Sequence, residues 1–169
     1  KNLFIIFAAG AHRQLTEAEM VELVSPQVAR RIKMFNTDAQ DPAQFTRVGT
    51  TSRGNAVYSH RRVVEADHII CTGRLVSHFF AGFGGGRKAL LPGVAAYETI
   101  RRNHALMLEP GAGLGRLKGN PVHEDQMEGA EMRRPSFLLN VVLNERKEFL
   151  KIFAGDYIQA HLHGRKFAE

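Results

Sequence analysis

Three histidines and one lysine carry the residue types most suited to chemistry, because imidazole and amine groups bind metals, transfer protons and attack electrophiles. His12 follows a predicted strand, His78 precedes Lys88, and His104 lies in a predicted helix beyond it. On residue type alone, the three histidines are compatible with a zinc site or with an acid–base set. Their spacing in the sequence does not decide between these two functions.

Lys88 ends a glycine-rich segment, Gly82 to Lys88, that reads GFGGGRK. Glycines let backbone N–H groups approach a phosphate, and a lysine adds positive charge. The P-loop motif nevertheless fails, because Ala89 stands where Ser or Thr would bind Mg²⁺. The dinucleotide-binding fingerprint also fails, because Arg87 occupies the position of its third glycine. A flexible turn with a solvated lysine remains the alternative interpretation.

The other five histidines are expected to be scaffold or surface residues rather than functional groups. We predict that His60 is on the surface, that His68 lies in a strand and that His123 lies in the first turn of a helix. His161 and His163 are two positions apart on a predicted helix, so they point to different faces and cannot form a helical ligand pair.

The composition is that of a globular chain: 169 residues, 44% hydrophobic and 24% charged. No apolar run approaches the roughly 20 residues needed to cross a bilayer, and no signal peptide opens the sequence. The single cysteine, Cys71, cannot form an internal disulfide. We therefore predict a protein of a reducing compartment, the cytoplasm, with no membrane partner.

The chain has a formal net charge of +6, which favours an anionic partner. Its arginines occur as scattered pairs rather than as one basic stripe, and no Tyr or Trp is interleaved with them. This pattern argues against nucleic-acid binding and favours an anionic small substrate or a phosphate-bearing cofactor.

Strands and helices must alternate to position the candidate residues. Three single strands are predicted: Leu3 to Phe7, Asp67 to Thr72 and Leu75 to Phe80. Two hairpins are also predicted: Phe45 to Thr51 with Ala56 to His60, and Phe137 to Leu143 with Phe149 to Ala154. The predicted helices begin near Glu17, at Pro26 (through Phe35), at Ala95 (through Leu108), at Pro121 (through Arg133) and at Asp156. Loops are expected at 36–44 and 110–119. This alternation predicts an α/β class: a layered, Rossmann-like fold with a mixed sheet and flanking helices.

The length favours one α/β domain over residues 1–169. The first residue is a lysine, a strand is predicted to begin almost at once, and the final helix has no closing cap. The hypothesis that follows is that this domain is a fragment of a larger protein.

Five segments resemble the nickel-dependent lactate racemase family. They are GAHRQLTEAEM, HFFAGFGGGRKALLPG, YETIRRNH, GNPVHEDQMEGA and FLLNVVLNERKEFLKIFAGD, and they occur in the family's order over almost the whole chain. The resemblance implies the amino-terminal, cofactor-carrying domain of a two-domain enzyme. It also implies a racemase or epimerase of lactate or a related 2-hydroxy acid, acting by hydride transfer through a 2-keto acid.

The resemblance assigns roles to four residues. Lys88 would be the covalent tether of a nickel pincer nucleotide, a pyridinium mononucleotide with thioamide and thiocarboxylate sulfurs. His104 would be a nickel ligand, and His12 and His78 would be the acid–base pair. Cofactor-building enzymes are implied as partners.

Further cofactor contacts are our own assignments from residue chemistry. Glycines would allow close approach of a planar group, and arginines would offset phosphate or carboxylate charge. These candidates are Arg13, Gly84, Gly85, Gly86 and Arg87.

Two departures from the family pattern concern substrate choice and cofactor contacts: Ala11 replaces a usual Thr, and Gly84 a common Ser. The family's second α/β domain is also missing from this sequence, so we expect the isolated domain to lack activity. Two alternatives remain: a zinc-dependent hydrolase using His12, His78 and His104, and a non-catalytic module that binds phosphate or nucleic acid.

Overall fold

The computed structural model describes residues 3–169 as small sheets flanked by helices. Ten strands are present within that range: β1 (Phe4–Phe7), β2 (Lys33–Asn36), β3 (Phe45–Thr50), β4 (Ala56–His60), β5 (Ile70–Arg74), β6 (Ser77–His78), β7 (Ala81–Phe83), β8 (Gly113–Leu114), β9 (Phe137–Leu143) and β10 (Phe149–Gly155).

Six α-helices accompany these strands in the described range: α1 (Glu17–Val24), α2 (Pro26–Ala29), α3 (Arg61–Val64), α4 (Tyr97–Ala105), α5 (Pro121–Glu131) and α6 (Tyr157–Ala168). Three short 3₁₀ helices cover Pro42–Gln44, Gly86–Ala89 and Leu106–Leu108. None of these helices is both long and apolar enough to cross a bilayer.

The strands form four sheets. In the first, β1 pairs in parallel with β2, and in the second β3 and β4 form an antiparallel hairpin. The third has the order β10-β9-β5, with β9 antiparallel to β10 and parallel to β5. The fourth, β6-β7-β8, is also mixed. The predicted α/β class, with mixed sheets and flanking helices, is therefore confirmed, although the strands are divided among several sheets.

Helix α6 covers one face of the third sheet. Alternate residues of β9 are buried, among them Leu138, as expected for a strand with one covered face. Tyr157 and Ala160 of α6 join Leu138 in the main apolar cluster. A β-carbon on Gly164 would lie 2.9 Å from the Leu75 side chain, so the helix can approach this closely only with glycine at that position.

Local signals account for most helix starts. Thr16 and Glu19 form the predicted capping box of α1. Asn120 caps α5 ahead of Pro121, and the Asp156 carboxylate accepts hydrogen bonds from two backbone N–H groups at the start of α6. Both predicted hairpins are present.

Five local predictions were wrong. The helix expected from Pro26 through Phe35 ends at Ala29, and Lys33–Asn36 instead pairs with β1. The strand expected from Leu75 to Phe80 is only Ser77–His78. The loop predicted at 110–119 contains β8. His60 is buried rather than on the surface, and its Nδ1 accepts a hydrogen bond from the Arg62 N–H at the start of α3. The strand expected from Asp67 begins only at Ile70, so His68 lies outside it and is exposed.

Candidate functional site

Phe80 is the centre of the candidate site, and the sequence reasoning missed it. Its buried ring meets the His78 ring edge-on with centroids 4.6 Å apart, and the His104 ring in the same way at 5.1 Å. The Lys88 Nζ atom lies 6.0 Å from the centroid of the same ring. One aromatic side chain therefore brings together three of the four residues singled out by the family resemblance. The adjacent Phe79 and Phe80 after His78 were the available signal.

His104 projects from α4 with a defined tautomer. Its Nδ1 atom is 2.8 Å from the Ile100 carbonyl oxygen. A carbonyl can only accept a hydrogen bond, so the proton is on Nδ1 and the Nε2 lone pair is left available. Burial lowers the pKa of His104, although the Ile100 hydrogen bond opposes this, and positive charge at Lys88 and His12 lowers it further.

His78 lies at the end of β6 and is partly buried. The Ala81 backbone N–H donates to its Nδ1 at 3.3 Å, and its ring stacks on Phe79 with centroids 5.0 Å apart. Burial is the largest cause that lowers the pKa of His78 to about 4. Positive charge at Lys88, Arg87 and His104 contributes in the same direction.

Lys88 extends from the Gly86–Ala89 turn and is half-buried. Burial lowers the pKa of its amine to about 8, with a smaller contribution from the positive charge of Arg87. The turn itself is held by a hydrogen bond from the Lys88 N–H to the Gly85 carbonyl at 3.2 Å. An amine whose pKa is depressed in this way is partly neutral, and therefore nucleophilic, near pH 8.

His12 occupies the loop after β1 and is exposed. The Gly10 N–H donates to the Gly93 carbonyl at 2.9 Å, which ties this loop to the segment after Lys88. The charge of His12 contributes to the lowered pKa of His104, so the two imidazoles lie within electrostatic reach of each other. His12 is thus exposed near His104, whereas His78 and His104 lie against Phe80.

The guanidinium groups of Arg13 and Arg87 both make contacts within the protein that the sequence did not predict. The Arg13 guanidinium makes a bidentate ion pair with Glu19, at 2.5 and 2.8 Å, beside the start of α1. The Arg87 guanidinium is buried, donates to the Ala81 carbonyl at 2.7 Å and lies 3.3 Å from Nε2 of His161. Cofactor contacts from either arginine stay a prediction.

The glycines of the loop are required by contacts within the protein. A β-carbon on Gly86 would lie 2.7 Å from the His161 ring, and one on Gly85 would lie 2.5 Å from Oδ1 of Asn140. Both glycines have positive φ angles, which side-chain-bearing residues rarely adopt. At Gly84 the nearest atom, of Val76, would be 3.4 Å away. The role of these three glycines in cofactor binding also stays a prediction.

A buried polar network fixes the orientation of α4. The Asp125 carboxylate of α5 accepts hydrogen bonds from Thr51 (2.6 Å), Asn55 (2.9 Å) and Asn103 (2.8 Å). All four side chains are buried. Because Asn103 directly precedes His104, the network holds the helix that carries the candidate ligand against α5 and the β3–β4 hairpin.

Within residues 3–169, no three side chains of His, Cys, Asp or Glu are grouped closely enough to hold a metal ion. His12, His78 and His104 therefore do not form the three-histidine zinc site of the alternative interpretation in this arrangement. A metal ligated by only one protein side chain is compatible with the free Nε2 of His104.

Known proteins resemble this chain in sequence and in fold. Residues 1–115 match the family described as the lactate racemase N-terminal domain. The lactate racemase of Lactiplantibacillus plantarum is 35% identical over 167 residues, which is 98% of this chain and 39% of that protein. The lactate racemase of Thermoanaerobacterium thermosaccharolyticum is 34% identical over 168 residues, again 98% of this chain and 39% of that protein. The chain thus spans about 39% of the length of these relatives.

Solved structures share the fold. The lactate racemase apoprotein from Thermoanaerobacterium thermosaccharolyticum aligns with a TM-score of 0.95 and 34% identity, over 98% of this chain and 40% of that one. A protein from Thermotoga maritima aligns with a TM-score of 0.81 and 24% identity, over 98% of this chain and 45% of that one. At that identity the second alignment shows the fold alone.

Proposed function

This chain belongs to the lactate racemase N-terminal domain family, and from that premise we propose that it is the cofactor-carrying part of a 2-hydroxy acid racemase or epimerase. The observation that carries the proposal is the gathering of His78, His104 and Lys88 around Phe80, with His12 at the edge. Lactate or a related 2-hydroxy acid is the substrate class.

Lys88 fits the role of covalent tether for a nickel pincer nucleotide. Attachment through an amide-type bond needs a neutral amine that can attack an activated carbonyl or thiocarbonyl carbon. Burial and the neighbouring Arg87 charge depress the pKa of Lys88 to about 8, which supplies that neutral form near physiological pH. Its half-buried position keeps the amine near the ring of Phe80, which His104 also contacts.

His104 fits the role of nickel ligand. Metal-bound histidines usually donate their other N–H group to a carbonyl or carboxylate, which fixes the ring. The Nδ1 bond to Ile100 provides this contact and leaves the Nε2 lone pair for the metal. Imidazole nitrogen is a donor type that suits nickel. When bound, the nickel pincer nucleotide would supply the acceptor for the hydrogen on the substrate's α-carbon.

His12 and His78 fit the roles of acid and base. Racemisation presents the hydroxyl group of each enantiomer from a different direction, so one base is needed on each side. His12 approaches from the loop after β1, and His78 from β6 on another sheet. Each imidazole would take the hydroxyl proton of one enantiomer as a 2-keto acid forms, and the other would return a proton.

The whole enzyme would include a second α/β domain that closes over the substrate, which is consistent with relatives about 2.5 times longer than this chain. Closure would exclude water from the hydride-transfer step. Cofactor-building enzymes are the further partners we propose, and the cytoplasm is the proposed location.

Intact-mass spectrometry tests the proposal directly. Protein co-produced with the cofactor-building enzymes should gain one nucleotide adduct, located on Lys88 by peptide mapping, together with nickel. Lys88→Ala should carry neither the adduct nor nickel. Lys88→Arg should also carry neither, because a guanidinium does not form the amide-type bond to the cofactor. Lys118→Ala, at an exposed lysine, is the matched control and should be loaded normally. An adduct that persists in Lys88→Ala would refute the tether.

The same samples separate the two alternatives. Zinc retained by Lys88→Ala would favour the hydrolase, although the described side chains do not form such a metal site. Steeply salt-dependent binding to oligonucleotides would favour a nucleic-acid module. That module is poorly supported by the structure, because Arg87 is buried and Lys88 alone is left as an accessible basic side chain in the loop.

A further inference from the structure

Arg87 is the largest of the fully buried side chains, with 1% of its surface exposed. Its Nη2 atom donates to the Ala81 carbonyl, but its Nε atom is buried and has no hydrogen-bond partner. Among the ion pairs within residues 3–169, none includes Arg87. A buried charge is normally paired or neutralised, so this guanidinium lacks its expected counter-charge.

Carboxylates at the ends of α5 and α6, the two helices beside Arg87, are engaged elsewhere. Glu131 accepts the Tyr157 hydroxyl and pairs with Arg134, and Glu169 pairs with Arg165. Burial lowers the pKa of Arg87 to about 9, which is still above neutral pH, so the guanidinium remains charged. The positive charge is therefore both present and uncompensated.

Arg87 lines a cavity of about 40 Å³ between the Gly86–Ala89 turn, α5 and α6. His123, His161 and Tyr157 also line it, together with apolar side chains. His123 Nδ1 is a second buried atom without a hydrogen-bond partner. Burial is the main cause that lowers the pKa of His123 to about 3, so its imidazole is neutral at pH 7 and can present an N–H group on Nδ1. Two potential donors thus lack acceptors beside one cavity.

We infer that the cavity between Arg87, His123 and His161 binds one small monovalent anion, such as a halide or formate. The anion would accept hydrogen bonds from Arg87 Nε and His123 Nδ1 and would offset the buried guanidinium charge. A water molecule has room there, but it would satisfy hydrogen bonds without neutralising the charge. Anions much larger than a halide or formate do not fit in a cavity of about 40 Å³. Because the walls come from a turn and two helices, the anion would tie the Lys88-bearing turn to α5 and α6.

Thermal unfolding at constant ionic strength tests this site. Sodium bromide is exchanged stepwise for sodium gluconate, whose anion is too large for the cavity. Bromide binding to the folded state should raise the melting temperature by roughly 3 °C for each tenfold rise above half-saturation. A melting temperature that is the same in bromide and gluconate, or lower in bromide, would overturn the inference.

Two variants locate the effect. Arg87→Met should remove the bromide response, whereas Arg47→Met, at an exposed arginine, should keep it. A bromide response that survives in Arg87→Met would place the anion elsewhere and refute the site. Should Arg87→Met fail to fold, anomalous scattering from bromide-grown crystals of the unaltered protein decides. A peak within about 3.5 Å of Arg87 Nε supports the site, and density that fits only water there contradicts it.

Discussion

At the scale of single residues, the neighbours of Lys88 decide what its amine can do. The side chain is half-buried beside Phe80, and the adjacent Arg87 adds a positive charge that the described residues do not neutralise. Both effects disfavour the ammonium form. Neither could be read from the sequence, because adjacent Arg and Lys residues give no indication that one guanidinium is buried.

We expect Lys88 to be acylated at a lower pH than ordinary lysines. Competitive labelling of the cofactor-free protein with acetic anhydride between pH 6 and 11, followed by peptide mass spectrometry, should give a midpoint near pH 8 for Lys88. Model lysines titrate near pH 10.4. The exposed Lys118 is the internal comparison. A Lys88 midpoint at or above that of Lys118 would contradict the prediction.

Gly86→Ala should destabilise the protein even without cofactor. The new β-carbon would meet the His161 ring at 2.7 Å, on a backbone with φ of +55°. Left-handed strain and the clash together should lower the free energy of unfolding by about 2–3 kcal/mol, measured by urea denaturation. Gly113→Ala is the control, because its β-carbon would meet no atom within 4 Å, and it should change stability little. Equal stability of both variants would show that Gly86 is not needed for packing.

At the scale of elements, pairing between distant segments explains where the sequence patterns failed. The signal of Ser25 and Pro26 correctly predicts a helix start, but nothing local shows that Lys33–Asn36 leaves the helical pattern to pair with β1. Capping boxes and hairpin turns were predictable because they depend on neighbours in sequence. The grouping of His78, Lys88 and His104 depends on Phe80 and on packing between elements, so only the family resemblance indicated it.

The Asp125 network should control how firmly α4 is held. Asp125→Asn would place amide hydrogens against groups that already donate, namely Thr51, Asn55 and Asn103. We expect a loss of about 2–4 kcal/mol in the free energy of unfolding, from urea titrations followed by circular dichroism. Glu145→Gln, on an exposed turn, should cost less than about 0.5 kcal/mol. A loss in Asp125→Asn no larger than in this control would show that the network does not hold the helix.

At the scale of the whole molecule, the histidines make folding sensitive to acid. Burial is the main cause that lowers the pKa of five of them in the folded state: His60, His78, His104, His123 and His161. In the unfolded chain each titrates near pH 6.5. Between that pH and the lowered pKa, the unfolded state binds more protons than the folded state, so stability must fall as the pH falls.

The melting temperature should therefore drop by roughly 10 °C between pH 6.5 and pH 5. Calorimetry at constant bromide concentration would measure this without changing occupancy of the inferred anion site. His161→Gln should reduce the drop, because the pKa of His161 is lowered to about 4 and its charging on unfolding is removed. His163→Gln, two positions away on the exposed face of α6, should leave the drop unchanged. A melting temperature that is flat over this range would mean that the imidazoles are not protected from protons in the folded state. The close packing described around Phe80 and Arg87 would then be wrong as well.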